Sequence, residues 1–193
     1  MKEIFNQIWD IALPYQDQRD DTGHAETSLK YAQELVEKEN GNEDVVIPAI
    51  ILHDIGWSQL IKGRRILVFA RSAREEDKQE VQLEHQNESV KLASDVLRKV
   101  NYPEDLTREI LEIISQHDTR KGFISKNEGL VRDADKLWRT SREGVAAANS
   151  RSVSHDIPDW KKLEENMNKP DYFFSETARK MAFKELELRK QRK

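Results

Sequence analysis

The chain has 193 residues, 35% of them charged and 37% hydrophobic, with 7 Gly, 5 Pro and a net charge of −4. This composition suits a single helical domain and argues against a sheet-rich or disordered chain, or one whose main partner is a nucleic-acid polymer, because backbone binding draws on clustered positive charge. Cysteine is absent, which excludes disulfides, thiolate metal sites and cysteine nucleophiles, so any metal must rest on nitrogen and oxygen.

Ile4, Phe5, Ile8 and Trp9 recur at helical spacing as far as Pro14, which predicts a short amphipathic first helix. The start, Lys2-Glu3-Ile4-Phe5-Asn6-Gln7, lacks the apolar core of a signal peptide, and no later apolar run approaches the roughly 18 residues that span a bilayer. A cytoplasmic location without membrane attachment is therefore expected. Asp20-Asp21-Thr22 offers capping oxygens to a second helix over about Gly23 to Asn40, stopped by Gly41. His24, Ser28, Ala32 and Leu35 share its inward stripe.

An apolar run from Val45 to Leu52, interrupted only by Pro48, predicts a helix buried on all sides, started by Asn42-Glu43-Asp44 and broken at Gly56. It carries His53-Asp54 to the interior in its last turn. A carboxylate taken out of water needs a partner or a metal, and imidazole is the commonest ligand of borderline transition ions. The two side chains diverge by about 100° around the helix axis, so both reach one ion only near the helix end, where the carboxylate can also reach a second.

Residues Ser58 to Lys78 are the least regular stretch, a candidate flap containing Lys62, Arg64 and Arg65. A long helix follows, from about Gln79 to Val100, with Val81, His85, Ser89, Leu92 and Val96 on one face, so His85 points inward. Pro103 opens the next helix, where Leu106, Ile110, Ile113, Ile114 and His117 form one stripe and His117 lies at its inner C-terminal end. After a turn at Gly122, the helix through Leu130 to Trp138 carries Asp133 and Asp135, both about 100° from its apolar stripe, so periodicity does not choose between them. Ser150 to Asp159 reads as a loop. Its His155-Asp156 has no buried helix to deliver it and is read as a decoy. From Phe173 to Lys193 a charged amphipathic helix places Phe174, Ala178, Met181, Ala182, Glu185 and Leu188 along one side. The expected organisation is one domain over residues 1–150 with a C-terminal helical extension, 151–193, packed on it or on the second subunit of a homodimer.

The order His24, His53-Asp54, His85, His117 and then an aspartate resembles the HD-domain superfamily of metal-dependent phosphohydrolases over roughly residues 20 to 145, and within it the small stand-alone hydrolases. The resemblance implies an all-α, HD-domain-like helical bundle. It selects Asp135, in Ala134-Asp135-Lys136-Leu137, as the last ligand and leaves Asp133 as an outer or surface residue. It implies one ion on His24, His53, Asp54 and Asp135, and a second added by His85 and His117 with Asp54 bridging. If only one ion binds, His85 and His117 contact substrate phosphate instead. Nitrogen-rich ligation with carboxylates suits iron, manganese, cobalt, nickel or zinc more than magnesium or calcium, and iron or manganese is the first expectation.

The implied reaction is hydrolysis of a small phosphorylated metabolite, with a nucleotide monoester, diester or anhydride as first expectation. Metal-bound hydroxide is the expected attacking group, and His53 and Asp54 stand at the catalytic centre. Lys62, Arg64, Arg65, Lys136 and Arg139 are the expected phosphate-binding residues, with Arg19, Arg120, Lys121 and Arg142 as further cations. Trp57 stands where cyclic-dinucleotide phosphodiesterases carry a lysine, and Trp57-Ser58-Gln59-Leu60 lacks the Glu-Asp pair of stringent-response hydrolases, which disfavours both substrates. Two other readings stay open: a ligand sensor that uses the metal without catalysis, and a di-iron oxygenase.

Overall fold

Helices supply all the regular structure among residues 1–70, 72–151 and 160–191, which the computed structural model describes, and no strand occurs among them. The expected all-α architecture is thus found. Helix α1 (Glu3–Ala12) buries Phe5, Ile8 and Ala12 and stops just ahead of Pro14. Helix α2 (His24–Glu39) follows Gly23, whose φ of +86° lies in the left-handed region that glycine adopts without strain. The cap differs from expectation. The amides of Gly23 and Ala25 donate to the Asp17 carboxylate at 2.6 and 3.0 Å and the His24 amide to the Asp21 carbonyl at 2.9 Å, so Asp17 supplies a side-chain cap for this helix start.

Helix α3 (Glu43–Leu52) is the central element, and every residue from Val45 to Leu52 is buried. Its start is capped by the Asn42 side chain, which accepts from the Asp44 amide at 3.0 Å. Pro48 has no N–H to give the Asp44 carbonyl, and the Tyr102 hydroxyl donates there instead at 2.7 Å. The helix does not run through the doublet as expected. It ends at Leu52, His53 caps it, and Asp54 leaves the helical region at φ −108° and ψ 1° before a 3₁₀ turn over Ile55–Gln59. The cause is a competing partner, since the Gly56 amide donates to Ser89 Oγ at 2.9 Å.

The remaining helices are α4 (Lys62–Leu67), α5 (Glu75–Lys99), α6 (Glu104–Ser115), α7 (Lys126–Trp138), α8 (Arg142–Arg151), α9 (Trp160–Met167) and α10 (Glu176–Lys190). Helix α5 begins a turn before Gln79, where Glu75, Glu76 and Asp77 suit the positive end of the helix dipole. Helix α3 sits among α1, α2, α6 and α7, and Phe5, Ile8, Leu35, Ile47, Ile50, Leu97, Ile110 and Ile113 fill the space between them. Full burial of each such side chain contributes about 1.5–3 kcal/mol. Ala178, Ala182 and Leu186 join α10 to that same core. The expected stripe ran to Leu188, which is 38% exposed, because the buried face follows the strict i, i+4, i+8 rise to Leu186.

Asp133 is neither outer nor on the surface. It is fully buried on α7, where its carboxylate accepts from the Phe174 amide at 2.7 Å and from the Ser175 amide and hydroxyl, both at 2.8 Å. It therefore anchors the segment that leads into α10. His155-Asp156 lies outside the described residues. Among those described, no helix is long and apolar enough to cross a membrane.

Candidate metal centre

Six side chains far apart in sequence meet at one point. His24 opens α2, His53 caps α3, Asp54 follows it, His85 is on α5, His117 lies two residues past α6, and Asp135 is on α7. The four histidines and Asp54 are all buried. Close contact between the Gly56 turn and α5 brings the two histidine pairs together: a methyl group on Gly56 would overlap the His85 carbonyl oxygen and the Ser89 amide.

The cluster has two matching halves, joined by Asp54. In the first, His24 Nε2 and His53 Nε2 lie 3.3 Å apart, at 3.4 and 3.6 Å from Asp54 Oδ2 and 3.5 and 3.6 Å from Asp135 Oδ1. In the second, His85 Nε2 and His117 Nε2 are also 3.3 Å apart, at 3.5 and 3.3 Å from Asp54 Oδ1. A carboxylate absent from the expected set completes this half: Asp118 Oδ2 lies 3.6 Å from His85 Nε2 and 3.8 Å from His117 Nε2. The sequence carried a signal for it, because His117-Asp118 is itself a His-Asp doublet, just past an amphipathic helix whose Ile110, Ile113 and Ile114 are buried.

Each oxygen of Asp54 also has a hydrogen-bond donor of its own. Arg19 donates to Oδ2 at 2.5 Å and the Trp57 indole to Oδ1 at 3.1 Å. Arg19 is held in turn by Asp21, through its amide at 3.0 Å and its Nε at 3.1 Å. His53 and His117 each donate from Nδ1 to a helical carbonyl at 2.8 Å, Ile50 and Ile114 respectively. A carbonyl only accepts, so Nδ1 carries a proton in both rings and Nε2 faces the cluster. His24 Nδ1 and His85 Nδ1 are buried without a hydrogen-bond partner.

Electrostatics divides the histidines in the same way. Burial lowers His24 and His85 below the ordinary imidazole range, and nearby Asp54 opposes it without prevailing. For His53 burial acts downward too, but Asp54 and Asp135 overcome it and push the pKa up to about 9. For His117 burial is likewise overcome, chiefly by Asp118 and Asp54. Asp54 and Asp135 stay below the usual carboxylate range despite burial, Asp54 through Arg19 and His53, Asp135 through His53 and His24. Paired imidazole nitrogens at 3.3 Å, faced by carboxylates on both sides, fit a divalent transition ion in each half, since a cation there offsets the clustered carboxylate charge.

A cavity of about 510 Å³ opens onto the cluster. Its polar end is formed by His24, Asp54, Asp118 and Asp135 with Arg19 and Arg139, its apolar wall by Val68, Phe69, Trp138, Val145 and Leu163. Of the five basic residues expected to hold substrate, Arg139 lines this cavity and the other four do not. Arg64 pairs with Glu80 at 3.0 Å and Glu84 at 2.5 Å on α5. Arg65 donates to the Leu60 carbonyl at 2.6 Å and to Gln18 Oε1 at 2.8 Å, so it braces the turn. Lys62 is exposed, and Lys136 points to the Tyr172 carbonyl and lies over the Phe123 and Tyr172 rings. Arg64, Arg65 and Lys136 are engaged locally, which a list of basic residues could not reveal.

Residues 22–140 match the family model for the HD domain. A predicted HD superfamily hydrolase from an uncultured Thermotogales bacterium, solved as a crystal structure, shares the fold: its TM-score is 0.63 at 21% identity, over 98% of this chain and 86% of that one. No curated protein matches the sequence.

Proposed function

The chain belongs to the HD-domain family, and from that premise we propose that it is a metal-dependent phosphohydrolase acting on a small phosphorylated metabolite, with nucleotides first among the candidates. The observation that carries this reading is the convergence of four histidines around Asp54 at the end of a cavity that Arg19 and Arg139 also line. In this reading His24, His53, Asp135 and Asp54 Oδ2 hold one ion, and His85, His117 and Asp54 Oδ1 help to hold another. The mixed imidazole and carboxylate donor set suits a divalent transition ion over magnesium or calcium, and iron or manganese is our first expectation. When bound, such an ion supplies Lewis acidity, lowering the pKa of water from 15.7 towards about 7 and offsetting charge on phosphoryl oxygens.

The protein's own residues perform the positioning. The Ile50 and Ile114 carbonyls fix two imidazoles, while Arg19 and Trp57 fix both oxygens of Asp54, so the carboxylate cannot rotate without losing both donors. The Arg139 guanidinium presents planar donors that match phosphate oxygens, while that of Arg19 is committed to Asp21 and Asp54. The apolar wall supplies a face for a base or another ring and sheds water from it. No Ser, Thr or Cys lines the cavity among the described residues, which leaves water as the expected nucleophile.

Purified protein loaded with Mn²⁺ or Fe²⁺ and offered mononucleotides, dinucleotides and sugar phosphates should release phosphate from at least one of them, and Asp54→Ala should abolish that release. Absence of turnover across the whole panel with either metal, or full activity in Asp54→Ala, would overturn the reading.

A further inference from the structure

We propose that Asp118 is a metal ligand that completes the second half of the centre as Asp135 completes the first, an inference that rests on the reading of the cluster as a site for two divalent ions. Its carboxylate makes no ion pair with a lysine or arginine among the described residues. The contacts it does make are with the two imidazole nitrogens of that half, at 3.6 Å to His85 Nε2 and 3.8 Å to His117 Nε2. Asp135 stands to His24 and His53 in the same relation, at 3.5 and 3.6 Å. Each half then offers two imidazole nitrogens, one terminal carboxylate oxygen and one oxygen of Asp54.

The placement of Asp118 is built into the fold. Gln86, fully buried beside His85 on α5, accepts from the Asp118 amide at 3.1 Å and donates to Thr119 Oγ1 at 3.3 Å. The helix that presents His85 therefore also fixes the backbone of the residue that faces it. His85 has no hydrogen-bond partner at its other nitrogen, so its polar contacts are confined to the cluster side. Without Asp118, anionic charge in this half comes only from Asp54 Oδ1, which is already shared with the Trp57 indole. With it, the two halves have equal donor sets, which predicts two ions of the same class held with comparable affinity. Both terminal carboxylates line the cavity, so the two ions would face the same substrate.

The test is titration of metal-free protein with Mn²⁺ alone, followed by calorimetry and by the paramagnetic signal of unbound Mn²⁺. Wild-type protein should take up two ions per chain. Asp118→Asn, which keeps the shape and removes the charge, should retain one ion at near wild-type affinity and bind the other at least about tenfold more weakly. Asp118→Ala should do the same. Two ions with unchanged constants in both variants would overturn the inference and leave the metal reading standing, whereas wild-type protein that binds no Mn²⁺ would overturn the metal reading itself. A single ion in wild type, loss of both ions from a variant with native circular dichroism, or unfolding of both variants would each overturn the role of Asp118.

Discussion

Trp57 and His85 lie in a parallel stack, ring centroids 4.0 Å apart with 11° between their planes, while the Trp57 indole donates to Asp54 Oδ1 at 3.1 Å. One side chain thus sets the plane of an imidazole and the angle of the carboxylate shared by both halves of the cluster, and the Arg19 guanidinium lies 4.6 Å from the same indole. Trp57→Phe keeps an aromatic face against His85 but deletes the N–H. A buried bond to a charged acceptor contributes about 1.5–3 kcal/mol, and outer partners of this kind change metal affinity about 10- to 100-fold. The variant should fold and bind Mn²⁺ at least about tenfold more weakly by calorimetry. Unchanged affinity would show that the indole N–H does not orient Asp54.

Gly56 governs the same region through space. A methyl group there meets backbone of α5, at the His85 carbonyl and the Ser89 amide, and backbone cannot yield as a flexible side-chain end does. Gly56→Ala should push the Ile55–Gln59 turn away from α5 and break the Gly56–Ser89 hydrogen bond, which measures 2.9 Å in the native structure. Overpacking of this kind costs about 1–3 kcal/mol and more where backbone is struck. Denaturant unfolding should register that loss, and metal content should fall with it. Native stability in Gly56→Ala would mean that the turn and α5 tolerate separation.

Periodicity made some of this legible and not the rest. The stripe His24, Ser28, Ala32, Leu35 and the apolar run of α3 could be read because a regular helix fixes where each side chain points. Asp118 escaped because it falls off the stripe that carries His117, and what turns it to the cluster is the hold of Gln86 on its amide, 32 residues away. Asp133 and Asp135 stand symmetrically about their helix stripe, and what separates them is the segment at Phe174 and Ser175, which claims Asp133 from 41 and 42 positions away. Arg64 and Arg65 looked available because their partners, Glu84 and Gln18, are distant in sequence.

That difference among the arginines separates two locations for the substrate. Arg139 lines the cavity, whereas Arg64 is held between Glu80 and Glu84 on α5. Arg139→Ala should raise KM for a phosphorylated substrate by about tenfold or more, the value of one charge-assisted hydrogen bond. Arg64→Ala should leave kcat and KM within about twofold of wild type. Steady-state kinetics with the two results exchanged would move the phosphate site to α4.

Proton competition gives the centre a direction in pH. His53 faces His24, Asp54 and Asp135, with His117 beside it, and although burial disfavours its charge, the two carboxylates push its pKa up to about 9. His117 is raised too, against burial, by Asp118 and Asp54. At pH 7 the His53 ring of the metal-free protein therefore carries the extra proton, and an ion can use its Nε2 only after that proton leaves. Raising the pH towards 9 removes that competitor, so affinity should increase with pH, by up to about tenfold per unit for the His53 proton. Between pH 6.5 and 8.5, Mn²⁺ should bind at least about tenfold more tightly. Calorimetry in two buffers of different ionisation heat should show one or more protons released per ion at pH 7.5. Affinity that is flat or weakens over this range would show that these imidazoles are not the ligands.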